Sequence, residues 1–255
     1  MKNIITAFFF IAQNFNYFNT KKSNILLKKY TSNYEELKQT GITVIKDYFT
    51  KEECNQVIKE IKNTFEIKKD KILISESLDH RLTGFEKFSK KTNIFLNDMD
   101  INELIKKYEC NDKMQQSTTL AANIKYKEGG KGSGNGWHRD RTFYKYRFSK
   151  AMIYLNDVNL NNGPFQYLEE SHKIKNIIKF NYLLKKSYSE KWFDNLEIKL
   201  ASQKLKLNIS TIIANAGDLI IFDGTGVHRG KPLISGERFT LTNYYRFDPK
   251  EILPF

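Results

Sequence analysis

Four histidines occur in this chain, and two of them, His138 and His228, stand in a pattern that could do chemistry. His138 precedes Asp140 by two positions. On a β-strand that spacing puts both side chains on one face, because successive side chains alternate. One histidine from a neighbouring strand, His228, would complete a set of two imidazoles and a carboxylate. Such a facial set holds non-haem Fe(II) and leaves positions open for a co-substrate and oxygen. Arg238, ten residues beyond His228, is a planar, permanently charged fork suited to gripping a carboxylate at two points. Thr240 follows on the same face of its strand and could add a hydroxyl donor. The chemistry these residue types allow is metal-dependent oxygenation.

An isolated His-x-Asp arises often by chance, so the elements around it decide its weight. Leu120 to Lys127 reads as a strand. The loop 129–136 then holds five of the thirteen glycines, yet lacks the Gly-Lys-Ser/Thr ending of a phosphate loop. It reads instead as a flexible hairpin loop delivering Trp137 and His138 onto the next strand. Ala151–Leu155 and Phe165–Leu168 are strands, separated by the turn Asn161-Asn162-Gly163-Pro164. Residues 174–212 read as a mainly helical excursion containing Trp192. Gly217-Asp218 opens the strand Leu219–Phe222. A last strand, Arg238–Phe247, alternates, with Arg238, Thr240, Thr242 and Tyr244 on one face.

The first half of the chain is more helical. A short helix over Tyr34–Gln39 ends near Gly41, and Ile42–Ile45 is a β-branched strand. Thr50 and Glu53 form a capping box. Behind it Cys54, Val57, Ile58, Ile61 and Phe65 recur at helical spacing and predict one buried face. Loop and short helix are expected between Gly84 and Asn97, and a helix over Asp100–Tyr108. Many short strands between glycine-rich turns, with helices gathered early, predict a mainly β fold with flanking helices (α+β): a double-sheet barrel or jelly roll. Residues 1–30 read as an N-terminal extension and 31–255 as a single domain.

Composition narrows the function classes. The net charge of 42 − 29 = +13 suits an anionic partner such as nucleic acid. The lysines are scattered along the chain rather than gathered in one tract, as a solvated surface requires, so a small-molecule substrate is expected rather than nucleic acid. Ile4 to Ala12 is hydrophobic after Lys2 and resembles a short signal peptide, but Gln13-Asn14-Phe15-Asn16 is bulky where a cleavage site is small. An ordinary packing segment is expected there. No run approaches the roughly 20 apolar residues of a membrane span. Two cysteines, Cys54 and Cys110, are too few for a disulfide framework, so a cytoplasmic location is expected.

From residue 40 to 247 the ordered motifs resemble the phytanoyl-CoA dioxygenase family of Fe(II)- and 2-oxoglutarate-dependent oxygenases. The resemblance rests on Gly41-Ile42-Thr43-Val44-Ile45 with Phe49 and the capped helix, on Trp137-His138-Arg139-Asp140, and on Asn162-Gly163-Pro164-Phe165 with Ser171-His172-Lys173. Gly217-Asp218, Phe222, His228 and Arg238 continue it. It implies a double-stranded β-helix with Fe(II) on His138, Asp140 and His228, and 2-oxoglutarate held through its distal carboxylate by Arg238. O2 would be the oxidant, ascorbate a reductant, and hydroxylation with release of succinate and CO2 the reaction. The family also places a polar residue on the strand before the iron ligands, where Asn123 and Lys125 are both candidates. Glu170 replaces the family's glycine before Ser171-His172, so that loop is expected to differ in shape, and His172 is expected to be structural or substrate-facing. Asp140 is retained where related halogenases carry a small residue, which favours hydroxylation. Two other functions fit parts of the pattern: the same chemistry on nucleic acid, and a non-catalytic cupin-like module with a structural metal.

Overall fold

The computed structural model describes residues 25–75, 78–140 and 148–246, with the backbone alone for Arg246. The hydrophobic stretch at residues 4–12 and Phe247 lie outside the described residues. Within the expected N-terminal extension, Leu27 and Tyr30 pack against the main core. Helix α1 (Thr31–Thr40) ends at Gly41, whose φ of 90° suits a residue without a Cβ and whose N–H reaches the Leu37 carbonyl at 2.8 Å. Strand β1 (Ile42–Ile45) follows at once. Helix α2 (Lys51–Ile67) starts on the capping box, with both arms between Thr50 and Glu53 formed. It buries Cys54, Val57, Ile61 and Phe65, and Ile58 packs partly buried beside them.

A hairpin that the sequence does not announce comes next, β2 (Leu73–Ile74) and β3 (Asp79–Thr83). Helices α3 (Lys90–Leu96) and α4 (Met99–Glu109) lead to β4 (Gln115–Lys125), β5 (Trp137–His138) and β6 (Ser149–Tyr154). Strand β7 (Phe165–Leu168) precedes the region expected to be mainly helical. That region holds helices α5 (Ile174–Leu183) and α6 (Asn195–Leu205) but also two strands, β8 (Trp192–Phe193) and β9 (Ile209–Ile212). Trp192 therefore lies on a strand, paired with His138. Strands β10 (Leu219–Asp223), β11 (His228–Gly230) and β12 (Glu237–Arg246) complete the described residues.

Two antiparallel sheets result, a major one in the order β1-β10-β6-β12-β4-β3-β2 and a minor one in the order β8-β5-β11-β7-β9. Helices α2 and α4 cover one face of the major sheet, packing Val57, Ile61, Ile101 and Leu104 with Ala121, Ile153 and Leu241. Helices α5 and α6 cover the outer face of the minor sheet through Phe180, Ile198 and Ala201 against Trp137 and Leu168. Between the sheets a smaller cluster, including Tyr154, Phe165, Tyr167, Ile220 and Phe222, closes one end. The rest of that space stays open as a cavity of about 480 Å³. This is the mainly β, double-stranded β-helix architecture with flanking helices that the strand pattern predicts.

Candidate active site

Strands β5 and β11 lie side by side in the minor sheet, with His138 directly opposite His228. Directly opposed residues share a face, and the two imidazole centroids are 4.4 Å apart. Each ring places Nδ1 2.9 Å from a carbonyl two residues earlier, that of Gly136 for His138 and that of Gly226 for His228. Donation from Nδ1–H to that carbonyl fixes the tautomer and turns the Nε2 lone pair into the cavity, the arrangement a metal-ligating histidine needs.

Asp140 reaches the same face by another route than the expected strand. Strand β5 ends at His138, and Asp140 sits in the bend beyond it, tied by its N–H to the Gly224 carbonyl at 2.9 Å. Arg139 turns the opposite way, donating to Asn181 Oδ1 at 2.9 Å and lying over the Phe180 and Phe193 rings. Alternation thus survives although the strand does not. The Asp140 carboxylate lies 3.9 Å from His138 Nε2 and 3.4 Å from His228 Nε2. One ligand atom from each of the three residues falls within 4.8 Å of the other two. Glycine makes the room: a Cβ on Gly224 would stand 2.2 Å from Asp140 Oδ2, and one on Gly134 would stand 2.3 Å from His138 Cε1.

The electrostatics suit a cation. Burial, then the neighbouring His138, pushes the His228 pKa down to about 3, and burial also lowers that of His138. Both rings are therefore neutral and able to ligate. Burial alone would raise the Asp140 pKa, but the Lys150 ammonium at 2.8 Å, helped by both histidines, outweighs it and brings the carboxyl to about 2. Asp140 Oδ2 is buried and has no hydrogen-bond partner. Two lone pairs and an unpartnered carboxylate oxygen converging in a buried space fit a divalent cation, and the nitrogen and oxygen donors are those of a facial Fe(II) site.

The major sheet forms the opposite wall. On β12, Arg238, Thr240, Thr242 and Tyr244 all line the cavity, as the alternation of that strand predicts. Arg238 is 3% exposed and stands near Tyr154 and Asp79, yet its Nε and Nη1 have no hydrogen-bond partner. A buried guanidinium with two idle donors fits a carboxylate accepting from both. Thr240 lies two residues along the same face.

Asn123 and Lys125 are not brought to this site. On β4 it is Leu120, Ala122 and Ile124 that face the cavity, so the odd-numbered neighbours must face away. Asn123 and Lys125 line a separate groove beneath α2, where Asn123 Nδ2 donates to Glu237 Oε2 at 3.1 Å. His80 lines the same groove. His172 is 2% exposed and packs against Gly41, where a Cβ would meet its Nδ1 at 2.4 Å; it is not one of the converging ligands.

Several cavity residues escape the sequence reading. Asp79 and Arg81 flank His80 and, by alternation on β3, point into the cavity, where Arg81 Nη2 donates to Asp79 Oδ2 at 2.5 Å and to Ser133 Oγ at 3.2 Å. Trp192 lies tilted beside His138, with ring centroids 5.2 Å apart. Lys150, at the start of an apolar strand, is 7% exposed and lies against the Tyr244, Phe148 and Phe222 rings. Burial would lower its pKa, but Asp140 and Tyr244 hold it above the ordinary lysine value. Lys150, Met152 and Tyr154 share one phase of β6, and the sheet pairing turns that phase, with its lysine, toward the cavity.

The fold has solved counterparts. EctD from S. alaskensis, determined with bound Fe, superposes with a TM-score of 0.63 at 13% identity, covering 89% of this chain and 79% of that one. The epimerase SnoN, in complex with Fe3+, alpha ketoglutarate and nogalamycin RO, gives 0.62 at 13% identity over 87% and 88%. HygX from Streptomyces hygroscopicus, with nickel and 2-oxoglutarate bound, gives 0.56 at 13% identity over 84% and 86%. No protein among those with curated functions matches the sequence. A family model described as phytanoyl-CoA dioxygenase (PhyH) matches residues 37–239, from the end of α1 into β12. That match spans both histidine-bearing strands and the arginine, and the chain belongs to the phytanoyl-CoA dioxygenase family of Fe(II)- and 2-oxoglutarate-dependent enzymes.

Proposed function

We propose that this enzyme hydroxylates a C–H bond of a small metabolite or lipid-like substrate, with conversion of 2-oxoglutarate to succinate and CO2. In this reading His138, Asp140 and His228 hold Fe(II), and Arg238, aided by Thr240, holds the distal carboxylate of 2-oxoglutarate. The observation that carries it is Arg238: a buried guanidinium with two unpartnered donors, in the same 480 Å³ cavity as the three converging ligand atoms. When bound, iron with 2-oxoglutarate and O2 supplies the oxidant that removes hydrogen from the substrate and returns a hydroxyl.

The protein's own part is positional. The Gly136 and Gly226 carbonyls aim the imidazoles, and Lys150 on Asp140 Oδ1 leaves Oδ2 as the oxygen beside His228. Phe165, Phe222, Met152 and Trp192 contribute apolar walls that exclude water. Retention of a carboxylate at Asp140 keeps the third protein ligand, which supports hydroxylation over halide transfer. The test is succinate release in the presence of Fe(II), 2-oxoglutarate, ascorbate and air, screened over a metabolite panel. Stimulation by one compound, with an equimolar hydroxylated product, is the expected result. Oxygen incorporation into no compound, with no basal succinate formation, would contradict the reading.

A further inference from the structure

We propose that the substrate is a carboxylate-bearing small molecule, anchored by Lys150 and oxidised at a carbon close to that carboxylate. The inference rests on the hydroxylase reading above and names the substrate class for the same cavity. It comes from pairing the charges that the cavity contains. Among the described residues, its charged side chains are Asp79, Arg81, Asp140, Lys150, Lys191 and Arg238, with Arg139 directing its guanidinium away to Asn181. Arg81 is paired with Asp79. Arg238 is assigned to the distal carboxylate of 2-oxoglutarate. The two charges of Fe(II) are balanced by Asp140 and by the second carboxylate of 2-oxoglutarate.

Lys150 is then the buried cation whose counter-ion has been committed elsewhere. A buried ammonium without an anion of its own is costly. An ammonium has three donors, and among the described residues one is used, on Asp140 Oδ1. Thr242 and Tyr244 bring hydroxyls to the same cavity wall, and Tyr244 is the cross-strand partner of Lys150. Leu120, Met152 and Phe222 give the wall its apolar part. Lys191 sits at the exposed margin, where its charge favours entry of an anion. An anionic head on a compact apolar body therefore complements the cavity.

The anchor also orients the chemistry. Lys150 Nζ is 2.8 Å from one oxygen of the Asp140 carboxylate, whose other oxygen is 3.4 Å from His228 Nε2. A carboxylate on Lys150 therefore brings its nearest carbons toward the converging ligand atoms. The reaction balances as R–H plus O2 plus 2-oxoglutarate giving R–OH, succinate and CO2, one oxygen atom entering R–OH and the other succinate.

The test is anaerobic titration of the Fe(II)- and 2-oxoglutarate-loaded enzyme, read by its visible charge-transfer band. The probes are acetate, butyrate, octanoate and 3-phenylpropionate, each against its primary amide and the matching amine. Carboxylates should shift the band at concentrations at least about tenfold lower than the amides and amines. Lys150→Met, compared at the higher Fe(II) concentration that loss of its contact with Asp140 requires, should remove that preference, and Lys150→Arg, which keeps the charge, should retain it. Amides or amines that act as well as the acids, a band that no acid moves, or a preference that survives in Lys150→Met would overturn the substrate inference alone. Absence of any band in the unmodified enzyme would overturn the hydroxylase reading, and this inference with it.

Discussion

The two walls of the cavity are built differently. The minor sheet presents its two histidines on strands of two and three residues, β5 and β11, each held by a carbonyl from the glycine-containing turn before it. The major sheet presents its cations on β6 and β12, and β12 runs for ten residues, paired with β6 over Thr240–Tyr244 and with β4 along its length save for a register shift between Tyr244 and Tyr245. Short strands cannot fix a side chain by ladder pairing alone, so the ligand wall depends on turns, on glycines and on hydrogen bonds to the rings. Long strands fix direction by alternation, so the cationic wall depends on phase. The ligand wall therefore fails by local crowding, and the cationic wall by loss of charge.

The largest effect is expected on the cationic wall. With Arg238 as the proposed partner of the 2-oxoglutarate carboxylate, Arg238→Ala should cost about 2–5 kcal/mol, so KM for 2-oxoglutarate should rise by roughly 30-fold or more. An unchanged KM would remove Arg238 from the co-substrate site. On the ligand wall, Gly224→Ala puts a methyl where Asp140 Oδ2 stands. Iron affinity should drop by about 10–100-fold, as for loss of an orienting partner, with little change in 2-oxoglutarate KM at saturating iron. Equal losses in both constants would show that the walls do not act separately.

Proton linkage separates the walls more gently. His228 titrates near 6.5 when unfolded and at about 3 in the folded protein. Above pH 6.5 neither state is protonated and the group contributes nothing. As pH falls from 6.5 toward 3, the unfolded chain takes up a proton that the folded one refuses, so stability drops by up to about 1.4 kcal/mol per unit. Asp140, held at about 2 against an ordinary 3.8, contributes stability above 3.8 that is lost as pH falls through 2. The melting temperature of the EDTA-treated protein should therefore fall between roughly pH 6.5 and 4, and less so in His228→Gln. A flat profile would contradict the buried neutral imidazole. The smallest effect belongs to the other face of β4: Asn123→Ala and Lys125→Ala should leave the KM for 2-oxoglutarate within about twofold, the scale of surface substitutions. A larger rise would put the phase of β4 in error.

That last pair shows where the sequence stops being informative. The capping box at Thr50, the strand Ile42–Ile45 and the alternation of β12 are legible because each has a local physical cause: a side-chain cap, β-branching, or polar residues confined to one face. Strand β4 has no such mark. Its run Leu120-Ala121-Ala122-Asn123-Ile124 is buried on both faces, under helices on one side and over the cavity on the other, so hydrophobicity does not reveal phase. Lys150 is hidden for the same reason, since a lysine opening an apolar strand looks like a solvated edge until β10 and β12 are seen flanking it. Asp140 reaches its place through a bend and a bond to Gly224, a residue far away in sequence. The candidate ligand motif is thus readable from spacing, whereas the buried charges of the cavity emerge with the sheet pairing.

The central claim is that His138, Asp140, His228 and Arg238 form one working site for Fe(II) and 2-oxoglutarate. Its most direct measurement is anaerobic addition of Fe(II) and then 2-oxoglutarate to the metal-free protein, followed by visible absorption. A weak charge-transfer band should appear only when both are present, be absent in Asp140→Ala, and need far more 2-oxoglutarate in Arg238→Ala. No band in the unmodified protein, or the same band in Asp140→Ala, would contradict the account.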